Sequence, residues 1–84
     1  MSDKAKVTVY SAPWCAFCHM AKQYLTSKKV PFTDIDVEKD PNGARTIVEK
    51  TGQAGIPVIE IGSEVILGFD RQSIDLALRA NKLV

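Results

Sequence analysis

Apolar and polar positions alternate over Ala5–Tyr10, a run of β-branched and aromatic residues that predicts a strand. Ser11-Ala12-Pro13-Trp14 breaks it. Apolar residues then fall at Phe17, Met20, Ala21, Tyr24 and Leu25, the spacing of one helical face, so a helix is expected over about Cys15–Ser27. Val30-Pro31 closes the connection, and Phe32–Val37 alternates as a second strand, giving a βαβ unit with parallel strands. Asp40-Pro41 is a helix start, an N-cap acceptor followed by proline at the first helical position. Ala44, Ile47, Val48 and Thr51 make the stripe expected to be buried, and Gly52 the stop. Val58–Ile61 and Glu64–Leu67 flank Gly62-Ser63, a pair suited to a tight hairpin turn. Asp70 caps a last helix with Ile74, Ala77 and Leu78 on one face. The order is β-α-β-α-β-β-α, an α/β chain with helices available for both sheet faces and the last two strands antiparallel. Val7, Val9, Ile35, Ile47, Val58, Ile61, Ile66, Ile74 and Leu78 are the expected core.

Length and composition narrow the class. Eighty-four residues allow one small domain over 1–84, with residues 1–4 expected to be flexible. Hydrophobic residues make up 45% and charged residues 25%, as in ordinary soluble globular chains. A formal charge of +1, with Lys28-Lys29 the only basic stretch, gives no electrostatic claim on nucleic acid or an anionic membrane. No apolar run approaches the roughly 20 residues of a membrane span, and the polar start has no signal-peptide core. A cytoplasmic monomer is the expectation. In that compartment a cysteine pair stays reduced unless it cycles.

Trp14-Cys15-Ala16-Phe17-Cys18-His19 carries the candidate chemistry. Cys15 falls where the first strand hands over to the first helix. The partial positive charge and free N–H groups of a helix start favour an anion, and a thiol there can drop from a pKa of about 8.5 to about 3.5–7.5. Cys18, one turn further on, loses that advantage and is expected to remain a thiol until it attacks a mixed disulfide on Cys15. A Cys-x-x-Cys pair in a βαβ unit signals this dithiol chemistry. Other readings use the same residues. Cys15-Ala16-Phe17-Cys18-His19 matches a c-type haem attachment motif, yet no export signal precedes it and strands make up about half of the elements. Two Cys and one His fall short of a protein-only zinc site. An iron–sulfur cluster bridged by Cys15 of two subunits stays open as the alternative function, and a redox-inert module would leave the cysteines unbonded. His19 and Lys22 are candidates for adding positive charge near Cys15; each also reads as a plain surface residue.

Together with Val9-Tyr10-Ser11, Thr51-Gly52-Gln53-Ala54-Gly55-Ile56-Pro57 and Gly68-Phe69-Asp70, this hexapeptide resembles the glutaredoxins, in particular the short single-domain glutaredoxin-like redoxins of bacteria and archaea. The motifs run in the family's order over nearly the whole chain. The resemblance implies a thioredoxin-like fold, a four-stranded mixed sheet flanked by three helices, and a thiol–disulfide oxidoreductase acting on protein disulfides or mixed disulfides. It also implies a cis bond before Pro57 and a substrate or glutathione groove formed by Trp14, Phe17, Gln53, Ile56, Pro57, Gly68, Phe69 and Asp70. No bound cofactor or metal is expected; glutathione or another low-molecular-weight thiol would be a co-substrate, and a reductase system would recharge the protein. The sequence departs from the family at four places. Ala12 and Ala54 stand where basic residues are common, Arg71 replaces an acid, and Phe17 replaces a tyrosine. Hydrogen bonds to charged groups are worth about 1.5–3 kcal/mol, so two missing cations predict a weaker hold on glutathione. They leave a flavin-dependent thioredoxin reductase as the other candidate donor. The Pro-Trp-Cys lead-in is shared with mycothiol-linked redoxins.

Overall fold

The computed structural model describes residues 6–83. The expected flexibility of residues 1–4, and Ala5 at the head of the first predicted strand, lie outside that range. The described elements are β1 (Val7–Ser11), α1 (Ala16–Ser27), β2 (Thr33–Asp36), α2 (Pro41–Thr51), β3 (Val58–Ile61), β4 (Glu64–Leu67) and α3 (Arg71–Ala80), in the order the residue pattern predicts. They build one mixed sheet ordered β2-β1-β3-β4. β1 and β2 run parallel, as a βαβ unit requires, while β1–β3 and β3–β4 are antiparallel. This four-stranded sheet with three helices is the thioredoxin-like arrangement.

Alternation along the strands divides the core between the two sheet faces. Val7 and Val9 of β1, with Ile59 and Ile61 of β3, face α1 and α3, where Ala21, Leu25, Ile74 and Leu78 complete a cluster closed to solvent. On the opposite face Tyr10 and Val58 pack on Ile47 of α2, with Ile35 and Val37 at the margin. Each fully buried aliphatic side chain contributes about 1.5–3 kcal/mol, so the larger α1/α3 cluster carries most of the apolar stabilisation.

Several expectations change. β1 ends at Ser11, not Tyr10, because Ser11 still pairs with Asp36 of β2. β2 is shorter than Phe32–Val37, and its Thr-Asp-Ile-Asp sequence suits an edge strand, where charge discourages further pairing. Phe17 and Met20 do not join the buried face of α1; they are 62% and 46% exposed. That face is Cys18, Ala21 and Leu25. A cysteine behaves there as a small hydrophobe, and counting it moves the helical stripe away from Phe17 and Met20. On α2, Val48 is exposed and Gly43 is buried instead. A Cβ on Gly43 would stand 2.7 Å from the Ile35 Cγ2 atom, so glycine lets α2 approach β2 closely. The helix ends are as the residues predict: Asp40 accepts from the Asn42 and Gly43 N–H groups, and Gly52 closes α2 at φ 77°.

Candidate active site

Chain direction delivers the cysteines to one end of the sheet. β1 terminates at Ser11, a turn in which the Cys15 N–H donates to the Ala12 carbonyl (3.1 Å) reverses the chain, and α1 begins. Cys15 is the N-cap of α1, with φ −90° and ψ 108°. Its Sγ accepts the Cys18 N–H at 3.1 Å, the role that an aspartate or serine oxygen plays at other helix starts. No acidic side chain lies in the first turn of α1, so nothing there opposes negative charge on the Cys15 sulfur.

Cys15 and Cys18 form a disulfide with their Cα atoms 5.2 Å apart. Their surroundings differ. Cys18 is wholly buried, whereas Cys15 keeps 7% of its surface open. Ala12, itself 1% exposed, packs with both cysteines, and Val37 and Ile56 close the cluster from the β2–α2 connection and the segment before β3. The Ile56–Pro57 peptide bond is cis, as the resemblance implies. The Pro57 carbonyl accepts the Gly68 N–H at 2.8 Å, tying the end of β4 to the start of β3.

Apart from the cysteines and Gly68, the predicted site residues fall into two groups. Trp14 and Phe17 flank the cysteines in sequence, Ile56 packs on their cluster, and Pro57 follows Ile56 across the cis bond. The Trp14 and Phe17 rings are exposed, and the indole N–H of Trp14 donates to the Glu38 carboxylate. Gln53, Phe69 and Asp70 are engaged elsewhere. Gln53 is exposed in the turn after α2, where its backbone N–H and carbonyl both bond the Thr51 hydroxyl. Phe69 packs edge-on against Tyr24 (centroids 5.9 Å apart), at the margin of the α1/α3 core. Asp70 is the N-cap of α3; hydrogen bonds from the Ser73 hydroxyl and N–H hold its carboxyl below the usual carboxylate range.

Three arrangements add to the sequence reading, which names Ala12 only as a missing cation and Lys22 only as a candidate charge. Ala12 is buried in one cluster with the two cysteines and Val37 packs against it, and a buried small residue in a loop carries no periodic signal. Glu38 meets Trp14 across the site. At the end of β1, the Ser11 hydroxyl donates to Asp34 at 2.6 Å, and the Lys22 ammonium sits 2.9 Å from the other Asp34 oxygen. Burial raises the Asp34 pKa, but the Ser11 and Lys22 hydrogen bonds outweigh it, so this carboxyl lies below its usual range. Among the described residues, no group of three or more His, Cys, Asp or Glu side chains is placed to hold a metal ion, and no helix is long and apolar enough to cross a membrane.

A mixed sheet of this order, with a Cys-x-x-Cys pair capping the helix after its first strand and a cis-proline before β3, defines a thiol redox protein of the thioredoxin-like fold. The glutaredoxin family's sequence model matches residues 7–66, and the chain belongs to that family. It is 36% identical over 69 residues to a glutaredoxin-like 8.6 kDa protein in the rubredoxin operon of Clostridium pasteurianum, covering 82% of this chain and 92% of that one. It is 34% identical over 82 residues to N-acetyl-S-hydroxy-L-cysteine reductase of Bacillus subtilis, covering 93% and 88%. The glutaredoxin-like NrdH-redoxin of Escherichia coli, a protein described as having a thioredoxin-like activity profile, superposes with a TM-score of 0.77 at 25% identity over 84% of this chain and 92% of that one. These relatives support thiol–disulfide oxidoreductase activity.

Proposed function

We propose that the protein is a dithiol reductase of protein disulfides or of mixed disulfides with a low-molecular-weight thiol. The Cys15 thiolate attacks one sulfur of the substrate disulfide and expels the other as a thiolate. Cys18 then loses its proton and attacks the Cys15 sulfur, releasing the second substrate thiolate. The Cys15–Cys18 disulfide holds the two-electron oxidation until a donor reduces it. The observation that carries this reading is the asymmetry of the pair. Cys15 is the helix N-cap, accepts a backbone N–H and reaches the surface, whereas Cys18 is one turn in and sealed.

Trp14, Phe17 and the Ile56-Pro57 backbone would shape the substrate groove, and Gln53, Gly68, Phe69 and Asp70 would hold glutathione where it is used. The donor is glutathione or a thioredoxin-reductase-type flavoprotein. The thioredoxin-like activity profile of the Escherichia coli relative and the missing cations at Ala12 and Ala54 favour the flavoprotein. The Bacillus subtilis relative's name adds small oxidised thiols to the substrates worth assaying. No observation on the site favours a bridged iron–sulfur cluster over the dithiol.

The test is substoichiometric iodoacetamide on the reduced protein at neutral pH, with the adduct mapped by mass spectrometry. Label should fall almost entirely on Cys15. Label on Cys18, or equal label on both, would reverse or remove the assigned roles.

A further inference from the structure

One part-buried polar cluster is built on Ser11, the residue before Ala12 of the cysteine cluster, and has no part in the exchange as written above. Ser11 is 2% exposed and ends β1. Its hydroxyl donates to Asp34 Oδ1 at 2.6 Å and accepts from Lys22 Nζ at 3.4 Å, while Lys22 and Asp34 form an ion pair at 2.9 Å. The next residue after Ser11 is Ala12, which packs with both cysteines, and the Ser11 carbonyl accepts the N–H of Val37, which packs on the same cluster. Lys22 lies four residues after Cys18 on α1, one turn along the same side, and helical side chains lean toward the N-terminus. The ammonium is thereby aimed back at the level of the dithiol, and Ser11 marks where it ends.

We propose that Lys22 and Asp34 are positioning residues that set how readily Cys15 exists as a thiolate: as a pair their fields nearly cancel at the sulfurs, and each holds the other's charge in check. The proposal rests on the reading of Cys15 as the attacking thiol. The other charged groups at this end of the sheet have partners of their own and are untouched by substitution at Lys22 or Asp34. His19 Nε2 bonds the Pro13 carbonyl at 2.8 Å, Asp36 accepts the Glu38 N–H at 2.9 Å, and Glu38 accepts from Trp14. The 52–57 segment brings no charge. Lys22 has 21% of its side chain exposed and Asp34 42%, so their fields are screened less than those of fully solvated groups. A cation near a thiol favours the thiolate and an anion opposes it, which fixes the sign for each partner.

The experiment compares wild-type protein with Asp34→Asn, Lys22→Gln and the double variant, all reduced. It follows the rate of Cys15 alkylation by iodoacetamide against pH, with thermal unfolding alongside. Asp34→Asn leaves the ammonium uncompensated. Its profile should move to lower pH, with alkylation at least twofold faster than wild type below the wild-type midpoint. Lys22→Gln keeps most of the side-chain stem but leaves the carboxylate uncompensated, so its profile should move to higher pH with alkylation at least twofold slower there. The double variant should return close to wild type. Opposite shifts that cancel are the signature of charge, since a packing role would push both single variants the same way. Shifts of one sign, or unmoved profiles in folded variants, would overturn the proposal. If one single variant does not fold, the other and the double variant still carry the predicted sign and its cancellation. Failure of wild-type Cys15 to alkylate preferentially would instead sink the reading beneath it.

Discussion

At the residue scale, one sulfur does two structural jobs. Cys15 caps α1 and closes a disulfide, and both follow from its place between Ala12, whose carbonyl anchors the turn, and Cys18, whose N–H points at the Cys15 sulfur. Cys18 has the complementary character: it is sealed, and it counts as the first position of the buried face continued by Ala21 and Leu25. This difference makes Cys18→Ser the informative substitution. A serine hydroxyl is smaller than the thiol and polar, so it is costly in a sealed position, by roughly 1–3 kcal/mol. Thermal unfolding should therefore occur at a lower temperature than for reduced wild type, with the fold retained. Attack by Cys15 should survive. With insulin as substrate the variant should accumulate a mixed disulfide on Cys15, visible as a mass increase that dithiothreitol removes. Full insulin-reducing turnover with no adduct would show that Cys18 does not resolve. Substrates that are already glutathione adducts behave separately, since a second glutathione can stand in for Cys18.

At the element scale, fit between neighbours decides what the residue pattern alone leaves open. α2 carries Pro-Asn-Gly-Ala at its start, and periodicity alone assigns Val48 to the buried side. The structure buries Gly43 there because α2 approaches β2 too closely for a side chain. Gly43→Ala adds a carbon 2.7 Å from the Ile35 Cγ2 atom, which no ordinary contact permits. Ile35 or the helix must shift, and overpacking of this kind costs about 1–3 kcal/mol, more than the roughly 1 kcal/mol that alanine gains over glycine within a helix. The expected outcome is a lower denaturant midpoint for Gly43→Ala, with partial recovery in Gly43→Ala/Ile35→Ala, where the clashing branch is gone. A Gly43→Ala protein as stable as wild type would mean that the helix slides freely. The same contrast describes what was legible in the sequence. Element order, caps at Asp40 and Asp70, the Gly62-Ser63 turn and the Cys15/Cys18 pair rest on local chemistry, and the structure keeps them. The outward turn of Phe17 and Met20, the burial of Ala12 and the Ser11–Asp34–Lys22 cluster depend on which chain segments meet, and nothing local encodes that. Phe17 and Met20 fall on the predicted helical face only while Cys18 is left out of it, and Cys18 serves packing as well as chemistry.

At the scale of the whole molecule, the fold gathers the end of β1, the start of α1 and the segment before β3 at one edge, and the charge around that edge bears on which donor can use it. The chain carries a net charge of only +1, so no long-range field steers an anion such as glutathione to the site, and recognition falls to local contacts. Two of the family's usual cations are alanines here, and the structure separates them. Ala12 is buried in one cluster with both cysteines, so a lysine there would have to repack that cluster; Ala12→Lys would confound binding with reactivity. Ala54 is exposed in the turn after α2, and Ala54→Arg adds a guanidinium without disturbing a packed neighbour. If glutathione lies along the Gln53–Pro57 segment, that cation gains an exposed ion pair with one of its carboxylates, worth about 0.2–1 kcal/mol. Apparent KM for glutathione, with glutathione reductase and NADPH recycling it, should fall by up to about fivefold. Turnover driven by thioredoxin reductase and NADPH should change less, because a protein donor spreads its contacts over more surface than a tripeptide. An added cation also favours the Cys15 thiolate, which speeds or slows both assays together, so the ratio of the two activities isolates binding. A ratio rising toward glutathione would mean that the absent cation at Ala54 helps set the donor. An unchanged ratio, with the variant folded and Cys15 equally reactive, would mean that donor choice lies elsewhere on this edge, with Trp14, Phe17 and Glu38 the next residues to vary.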